Sequence, residues 1–437
     1  IFSGRTLMQD ISLLEPGSYM TIGLGGRSPK INSTRYWNYN FSEPERPDSK
    51  QDYVEELDRL FQQAVNRQLI GDVEIGSYLS GGIDSGSITA IAAQAIPNIK
   101  TFTCGFDLTS ASILELNFDE RLEAEHMSFC FKTEHYQVVL KAGDMERAMP
   151  KLGWHMEEPR VGQSYGNYYA SNLASKFVKV VLSGTGGDEL FGGYPWRYYN
   201  SSIKGDFEQF SRNYYKVWQR LLPAEMMPEM FSPIWKDVSK ESTFEIFQNV
   251  FGSCRKDLLS QSDYLNLSLN FEAKTFLSGL LVMEDKLSMA HGLETRVPFL
   301  DNDLVDFAMK CPSELKVKNH GSVPRVDENT PGRKTSDYFN RTRNGKLILR
   351  ESMDRHLPDK ISSRLKQGFS GPDSSWFKGE SSNYINRRFG NADAAIYDYL
   401  NPASVQSLIR EHTSGKANRR LLIWSLLSFD QWLENFL

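Results

Sequence analysis

Between residues 73 and 184 the sequence alternates between short apolar runs and segments with helical spacing, and this alternation constrains the fold more than any other feature. The apolar runs predict strands and the intervening segments predict helices. Strands are expected at 73–79, 101–106, 136–140 and 178–184, with helices at 85–95, around 119–131 and at roughly 164–176. Because strands that alternate with helices form βαβ crossovers, we predict an α/β fold with a doubly wound parallel sheet.

The regions on either side of this alternation have different patterns. Residues 1–40 contain short alternating segments and a Pro-Gly turn, which predict short strands, and the polar segment 41–50 is typical of a linker. A helix is expected over 51–69, where apolar residues recur at helical spacing. Residues from about 205 to 311 are mostly helical in pattern and rich in aromatic residues, and the segment 419–436 predicts a core helix.

Composition and charge narrow the classes of function. A formal net charge of −5 and a pI near 5.9 give no electrostatic signature for nucleic acid or an anionic membrane, so we expect neither partner. The longest apolar run, near 421–429, is too short to span a bilayer, and no signal peptide is recognisable. Widely spaced cysteines without a CxxC pair argue against disulfides or zinc and predict a reducing, cytoplasmic environment. These cysteines are Cys104, Cys130, Cys254 and Cys311.

The first candidate binding loop is "SGGIDS", residues 80–85, between a predicted strand and a predicted helix. Backbone N–H groups of a glycine loop and the positive end of a helix suit an anion such as phosphate, which glycines allow to approach closely. Asp84 would repel a bare phosphate, so this interpretation needs a bridging Mg²⁺. The sequence contains no Walker loop, GxGxxG fingerprint or G-x-S-x-G elbow at this place. The alternative is an ordinary strand-to-helix turn with an aspartate near the helix start.

The second candidate loop, "VVLSGTGGDELFGGY", begins at Val180 and repeats the same order of features. A strand end is followed by bare backbone and then by a carboxylate, Asp188. Ligands of doubly wound sheets bind beyond the carboxyl ends of the strands, where both loops are predicted to lie. We therefore expect the two loops to hold one magnesium-bound polyphosphate from two sides.

Taken together, these motifs resemble a known family. "SGGIDS" is similar to the pyrophosphate-binding loop of the ATP pyrophosphatase superfamily. With the second loop, "LETRVPFLD" (293–301), "GKLILR" (345–350) and "KQGF" (366–369), it resembles the synthetase domain of glutamine-hydrolysing asparagine synthetases, in the family's order and over about residues 50–430. The resemblance implies that a carboxylate attacks the α-phosphorus of ATP, giving an acyl-adenylate and pyrophosphate, and that ammonia then displaces AMP.

The resemblance also implies roles for individual residues. Asp84 and Asp188 would bind Mg²⁺, and Lys366 of "KQGF" would be the catalytic cation, with Lys286 a weaker second candidate. ATP would be held by the first loop, the strand ends and the start of the second loop, that is by Leu79, Ser80, Gly81, Gly82, Ser85, Cys104, Gly105, Ser183 and Gly184. Within these, Ser80, Gly82 and Ser85 are expected to hold pyrophosphate. Glu294 and Arg296 are expected to contact substrate or, by slight preference, to form an internal ion pair.

Two departures from the family pattern are visible. Thr185 stands where the family usually has a glutamate, thought to serve the amidation half-reaction, and a neutral threonine cannot be a general base. The glutaminase cysteine expected at the start of the family's chains is absent, although residues 1–45 resemble the last strands of that domain. We therefore expect the chain to begin inside a glutaminase domain, with a synthetase domain over 46–437. The synthetase domain would comprise an α/β part at about 46–200 and a mainly helical part at about 201–437.

The function expected from these observations is ATP-dependent amidation of aspartate or a related acid with glutamine-derived ammonia. Alternatives are a ligase for a different acid, ring closure as in β-lactam synthetases, a tRNA-modifying adenylating enzyme or a nucleotide-binding regulatory module. The net charge and lone cysteines argue against the RNA enzyme. The polar, basic segment 316–346 fits a solvated loop or a cover over an anionic ligand. The sequence leaves open whether the protein forms a homodimer.

Overall fold

A computed structural model describes residues 4–25, 29–113, 115–162, 164–198, 206–252, 260–318, 345–358, 361 and 371–437. The strands are β1 Ser18–Gly23, β2 Lys30–Arg35, β3 Ile75–Tyr78, β4 Lys100–Phe106, β5 Glu134–Leu140, β6 Val180–Leu182 and β7 Glu294–Arg296. Short 3₁₀ turns lie at Leu116–Phe118, Ala224–Met226, Pro298–Leu300 and Ala395–Asp398.

Helices account for most of the regular structure in the described ranges. Those of the first half are α1 Lys50–Gln68, α2 Ile83–Ala95, α3 Arg121–Phe131, α4 Ala142–Met156, α5 Tyr165–Ala174, α6 Gly187–Phe191, α7 Pro195–Tyr198 and α8 Phe207–Trp218. They are followed by α9 Met227–Met230, α10 Trp235–Val238, α11 Thr243–Asn249, α12 Gln261–Glu272, α13 Ser278–Met289, α14 Asn302–Lys310 and α15 Ser313–Lys316. The last are α16 Leu347–Met353, α17 Asp373–Trp376, α18 Ser382–Phe389, α19 Pro402–Thr413 and α20 Arg420–Phe436. A π-helical turn, Ala273–Leu277, joins α12 to α13.

The central sheet has five parallel strands in the order β5-β4-β3-β6-β7, which confirms the predicted α/β fold with a parallel sheet. From β3 the chain proceeds through β4 to β5 on one side of the sheet, whereas β6 and β7 lie on the other side. The boundary between β3 and β6 is therefore the topological switch point, where ligands bind in sheets of this kind. Both glycine-rich loops follow these two neighbouring strands.

The strand β7 and the helix α4 are among the elements that were not foreseen from the sequence. β7 lies within "LETRVPFLD" and is a strand of three residues that pairs with β6, where the sequence pattern predicted no strand. Three residues are too few to show strand alternation, and the strand forms because β6 offers it an edge. Helix α4 follows β5 directly and contains Pro150 in its interior, a residue that weakens the helical signal.

The core is built mainly between the sheet and the helices on its faces. α1 and α2 contribute buried side chains such as Leu57, Phe61 and Ile88 to one cluster, which also takes in α14 and α16. α20 packs against α4 in a second cluster, so the prediction that 419–436 is a core helix is confirmed. β1 and β2 form a separate antiparallel pair, as expected for the β-rich first 40 residues. None of the helices in the described ranges is long and apolar enough to cross a membrane.

Candidate active site

The first loop lies at the carboxyl end of β3 and runs into α2. Gly82 is the N-cap residue of α2, and Asp84 lies in the first helical turn. The loop is closed by its two serines: the Ser80 and Ser85 hydroxyl oxygens are 2.9 Å apart, the Ser80 N–H donates to Ser85 Oγ at 3.0 Å, and the Gly82 N–H donates to Ser80 Oγ at 3.1 Å. The loop backbone is therefore shaped before any ligand arrives.

The second loop follows β6 and is anchored to the neighbouring strand, because the Ser183 N–H donates to the Arg296 carbonyl at 2.8 Å. Gly186 then adopts a left-handed conformation with φ of 101°, a region that favours glycine. This turn starts the short helix α6 and places Asp188 in its first turn.

The two loops pack directly against each other. A Cβ atom on Gly184 would lie 3.0 Å from Asp84 Cβ, and one on Gly187 would lie 2.7 Å from Asp84 Oδ1. Any larger residue at either position would push Asp84 away. The glycines of the second loop thus allow the carboxylate of Asp84 to approach the backbone of the second loop.

Asp84 and Asp188 meet at a single buried cation, Lys346. Its Nζ atom lies 2.5 Å from Asp84 Oδ2 and 2.5 Å from Asp188 Oδ1. The side chain of Lys346 is 3% exposed, whereas those of Asp84 and Asp188 are 18% and 15% exposed. We call these three residues the Asp84–Lys346–Asp188 cluster.

The charges of the cluster determine the protonation of its lysine. Burial alone would lower the pKa of Lys346, but the carboxylates of Asp188 and Asp84 outweigh burial and hold the pKa above its ordinary value. Lys346 is therefore an ammonium ion at neutral pH. It can stabilise negative charge, but it cannot accept a proton as a base.

Lys346 was not assigned a role from the sequence, although "GKLILR" was noted as a family motif. It precedes α16 in a left-handed conformation with φ of 57°, and its N–H donates to the Phe191 carbonyl at 3.1 Å. A side chain on Gly345 would overlap the carbonyl oxygen of Gly192. These backbone contacts with the second loop position Lys346 in the site, and the sequence around a single lysine does not reveal them.

Thr185, which stands where the resemblance implies a glutamate, has a carboxylate as its hydrogen-bond partner. The Thr185 hydroxyl donates to Glu284 Oε2 at 2.6 Å, and it lies 3.2 Å from the Ser183 hydroxyl oxygen. Glu284 belongs to α13 and is only 9% exposed. A carboxylate is thus present one hydrogen bond away from the residue that lacks one.

The strand-end residues that the resemblance assigns to ATP binding lie at the carboxyl ends of β3 and β4. Leu79 is buried, and its carbonyl accepts a hydrogen bond from the Thr103 hydroxyl. Burial raises the pKa of the Cys104 thiol well above its ordinary range, so this thiol stays protonated. A side chain on Gly105 would collide with Arg121, which is paired with Asp119 at 2.7 Å.

Comparison with known proteins identifies the family. The family model described as asparagine synthase matches residues 56–434, most of the chain. The chain belongs to the asparagine synthase family. The resemblance inferred from the motifs is thereby confirmed.

Curated relatives support the same assignment within the asparagine synthase family. Asparagine synthetase [glutamine-hydrolyzing] 1 of Bacillus subtilis is 28% identical over 98% of this chain and 66% of its own length. A putative asparagine synthetase [glutamine-hydrolyzing] of Mycobacterium tuberculosis is 26% identical over 98% of this chain and 64% of its own length. Amidase chyE of Penicillium rubens is 22% identical over 85% of this chain and 60% of its own length. The chain therefore spans about two thirds of the length of these relatives.

Several residues that the asparagine synthase motifs singled out lie away from the cluster or outside the described ranges. The Lys286 ammonium donates to the Met156 carbonyl at 2.9 Å and pairs with Glu157 at 2.7 Å, so it binds the end of α4. Glu294 and Arg296 form the expected internal ion pair at 2.7 Å. Lys366 and most of the 316–346 segment lie outside the described residues, so their predicted roles stay predictions.

The donor set at the cluster is compatible with a magnesium ion. Among the described residues there is no group of three or more metal-binding side chains. Proteins commonly hold Mg²⁺ with only one or two carboxylates, leaving other positions to water and substrate phosphates. Two aspartates that already converge on one cation have the oxygen chemistry that such a site requires.

Proposed function

We propose that this chain catalyses ATP-dependent amidation of a carboxylic acid through an acyl-adenylate, with ammonia derived from glutamine, and releases AMP and pyrophosphate. The observation that carries the proposal is the convergence of Asp84 and Asp188, one from each glycine-rich loop, on Lys346 at the switch point of the sheet. A site with this charge pattern is suited to a metal-bound polyphosphate. Family membership supports the same chemistry.

The charge of the cluster explains why ATP would bind with a metal ion. Two carboxylates and one ammonium leave one net negative charge, which would repel a triphosphate. Mg²⁺ held by Asp84 and Asp188 would reverse this sign and neutralise charge on the phosphates. Lys346 would then be free to approach a phosphate oxygen, and Lys366 remains a second candidate cation.

The first loop is proposed to hold the pyrophosphate end of ATP. Ser80 and Ser85 already fix the backbone of the loop. Gly82 is the N-cap of α2, so the positive end of this helix lies at the loop where the pyrophosphate would bind. Ser183 and Gly184 would border the α-phosphate or ribose, and Leu79, Cys104 and Gly105 would border the nucleoside. This orientation leaves the α-phosphorus open to attack by a carboxylate oxygen.

The reaction would proceed in two steps. The carboxylate oxygen forms a bond to the α-phosphorus as the bond to pyrophosphate breaks, and Lys346 stabilises the charge that develops on the leaving group. The nitrogen of ammonia then bonds to the acyl carbon, and AMP leaves with the electrons of the carbon–oxygen bond. The overall products are an amide, AMP and pyrophosphate.

Aspartate is the first candidate acid, because the two most similar relatives described above are named asparagine synthetases. Thr185 favours a second possibility, an acid other than aspartate in a biosynthetic pathway, since the usual glutamate is missing. One relative of this chain is named an amidase and not an asparagine synthetase, which also leaves room for a different acid. Ring closure by an amine of the same substrate is the variant of this reaction that needs no ammonia.

The N-terminal strands are proposed to be the end of a glutaminase domain that supplies ammonia. β1 and β2 pair with each other and not with the central sheet, which fits a separate unit before the synthetase domain. We also propose that the protein lies in the cytoplasm and forms a homodimer. Sedimentation at micromolar protein concentration tests the dimer.

Isotope transfer tests the proposed reaction. The chain is incubated with ATP, Mg²⁺, ammonium chloride and carboxyl-¹⁸O-labelled L-aspartate, L-glutamate, succinate or glucuronate, and the nucleotide product is analysed by mass spectrometry. An acyl-adenylate route transfers one ¹⁸O atom to AMP. Label in inorganic phosphate with formation of ADP would instead show acyl-phosphate chemistry and overturn the proposal.

Asp84→Ala tests the proposed role of the first loop. The variant should lose acid-dependent pyrophosphate release, because it lacks the carboxylate that faces the second loop and Lys346. Its far-ultraviolet circular dichroism should remain that of the parent chain. Near-normal pyrophosphate release would remove Asp84 from the magnesium site.

A further inference from the structure

Glu284 is a buried carboxylate that the proposed mechanism does not use. It lies on α13, it is 9% exposed, and its Oε2 atom accepts a hydrogen bond from the Thr185 hydroxyl at 2.6 Å. The Thr185 hydroxyl oxygen lies 3.2 Å from the Ser183 hydroxyl oxygen, so a second hydroxyl lies near this carboxylate. Both hydroxyls belong to the second glycine-rich loop, so Glu284 reaches the candidate site from a different part of the chain.

The surroundings of Glu284 differ from those of a structural buried carboxylate. Glu272, at the end of α12, is paired with Arg197 at 2.7 Å and accepts a hydrogen bond from Tyr214 at 2.6 Å. Glu284 has no ion pair within the described ranges and is held by neutral hydroxyls. A carboxylate that no cation neutralises keeps its capacity to accept a proton.

Burial supports this distinction. Loss of water around Glu284 raises its pKa, and the hydrogen bonds from Ser183 and Thr185 only partly offset this effect. A carboxylate with a raised pKa is a stronger base than a solvated one. The hydroxyl of Thr185 itself cannot fulfil that role at neutral pH.

We propose that Glu284 is the general base of the amide-forming half-reaction and that Thr185 and Ser183 hold it toward the acyl-adenylate. The inference rests on the proposed function. Thr185 has no carboxylate of its own, and α13 places one within a single hydrogen bond of it. The structure thus assigns a residue to the step that Thr185 left without one.

The step balances without any further reactant. The nitrogen lone pair of ammonia forms a bond to the acyl carbon, and Glu284 accepts the proton that the nitrogen then releases. The carbon–oxygen bond to AMP breaks, and its electron pair leaves with AMP. The proton on Glu284 passes to solvent when the products depart.

Separate measurement of the two half-reactions tests the proposal. Acid-dependent exchange of labelled pyrophosphate into ATP reports adenylation, and amide formed from ammonium chloride reports the second step, with whichever of the four acids above gives the fastest exchange. Glu284→Gln keeps the size of the side chain and should lower the amide-forming rate by about 10²- to 10⁴-fold while leaving exchange within a few-fold of the parent chain. Equal losses in both reactions, or unchanged amide formation, would overturn the assignment.

A carboxylate swap distinguishes a base from a packing residue. In the double variant Thr185→Glu/Glu284→Gln the carboxylate returns to the loop, and we expect a large part of the amide-forming rate to return. A double variant as slow as Glu284→Gln would refute the role of Glu284 as a base.

Glu272→Gln is the matched control. It removes a buried carboxylate of the same helical run that has structural partners, and it should lower the melting temperature and slow both half-reactions together. If the parent chain exchanges pyrophosphate with none of the acids, the proposed function fails first, and the assignment of Glu284 fails with it.

Discussion

Lys346→Met is the substitution that most directly tests the Asp84–Lys346–Asp188 cluster. Methionine retains much of the side-chain volume but removes the ammonium ion that lies 2.5 Å from each carboxylate. The variant thus loses the ion pairs that Lys346 forms with both aspartates. Because the lysine is 3% exposed and the aspartates are 18% and 15% exposed, little water replaces the lost contacts.

The expected loss of stability follows from this burial. Removing one partner of a buried ion pair costs about 3–5 kcal/mol, and we expect the lower end because the aspartates are partly hydrated. The pKa of Lys346 lies above its ordinary value, so its stabilising contribution is present at neutral pH and is lost only as the pH rises through that pKa. The difference in unfolding free energy should therefore be fully visible at pH 7, measured by urea denaturation without divalent ions.

The same variant tests the magnesium proposal. Lys346→Met removes the positive charge that lies between Asp84 and Asp188, so Mg²⁺ should stabilise this variant more than it stabilises the parent chain, at ionic strength matched with NaCl. The rate of acid-dependent pyrophosphate release should fall by about 10²- to 10³-fold even when Mg²⁺ restores stability. Lys416→Met, which removes a lysine whose side chain is 74% exposed, is the control. Unfolding free energies equal to those of the parent chain and of this control would refute the cluster.

Two further predictions follow from packing and burial. A Cβ atom on Gly193 would overlap Asp188 Oδ1, so Gly193→Ala should slow pyrophosphate release by about 10²-fold. Gly279→Ala is the control and should not slow it, because no atom lies within 4 Å of the new Cβ. Equal rates for both variants would contradict the proposed position of Asp188. Burial lowers the pKa of His412 to about 4 from an ordinary 6.5, so the parent chain should lose about 3 kcal/mol of stability as the pH falls through this interval. His412→Gln should remove that part of the acid sensitivity in urea titrations, and parallel pH profiles for the two proteins would exclude it.

The sequence predicted the sheet because its signal is local. Each strand of the alternating region carries its own apolar run, and the helix between two strands fixes their parallel direction. β7 carried no such signal, since a strand of three residues is specified by the neighbour with which it pairs. Fold class was therefore accessible from the pattern, whereas the edge strand depended on tertiary contacts.

The candidate site divides in the same way. Asp84 and Asp188 were selected because each follows a strand and a run of glycines, which is a local pattern. Lys346 is 262 positions from Asp84, and Glu284 is 99 positions from Thr185, so neither contact leaves a trace in local spacing. A lysine in "GKLILR" and a glutamate in a helix are ordinary until the fold places them against the loops.

The two carboxylate arrangements separate the residues proposed to bind ATP from the residue proposed to act on the acyl-adenylate. The aspartates of the cluster are compensated by Lys346, which suits them to phosphates and metal, whereas Glu284 is held by hydroxyls and keeps its basicity. Thr185 lies on the same loop as Asp188, but its hydroxyl contacts Glu284 and Ser183. A substitution at position 185 can therefore alter the surroundings of Glu284 while the cluster keeps its geometry, because Gly184 and Gly187 pack against Asp84. The departure at position 185 is thus compatible with an intact adenylation step and a changed acid.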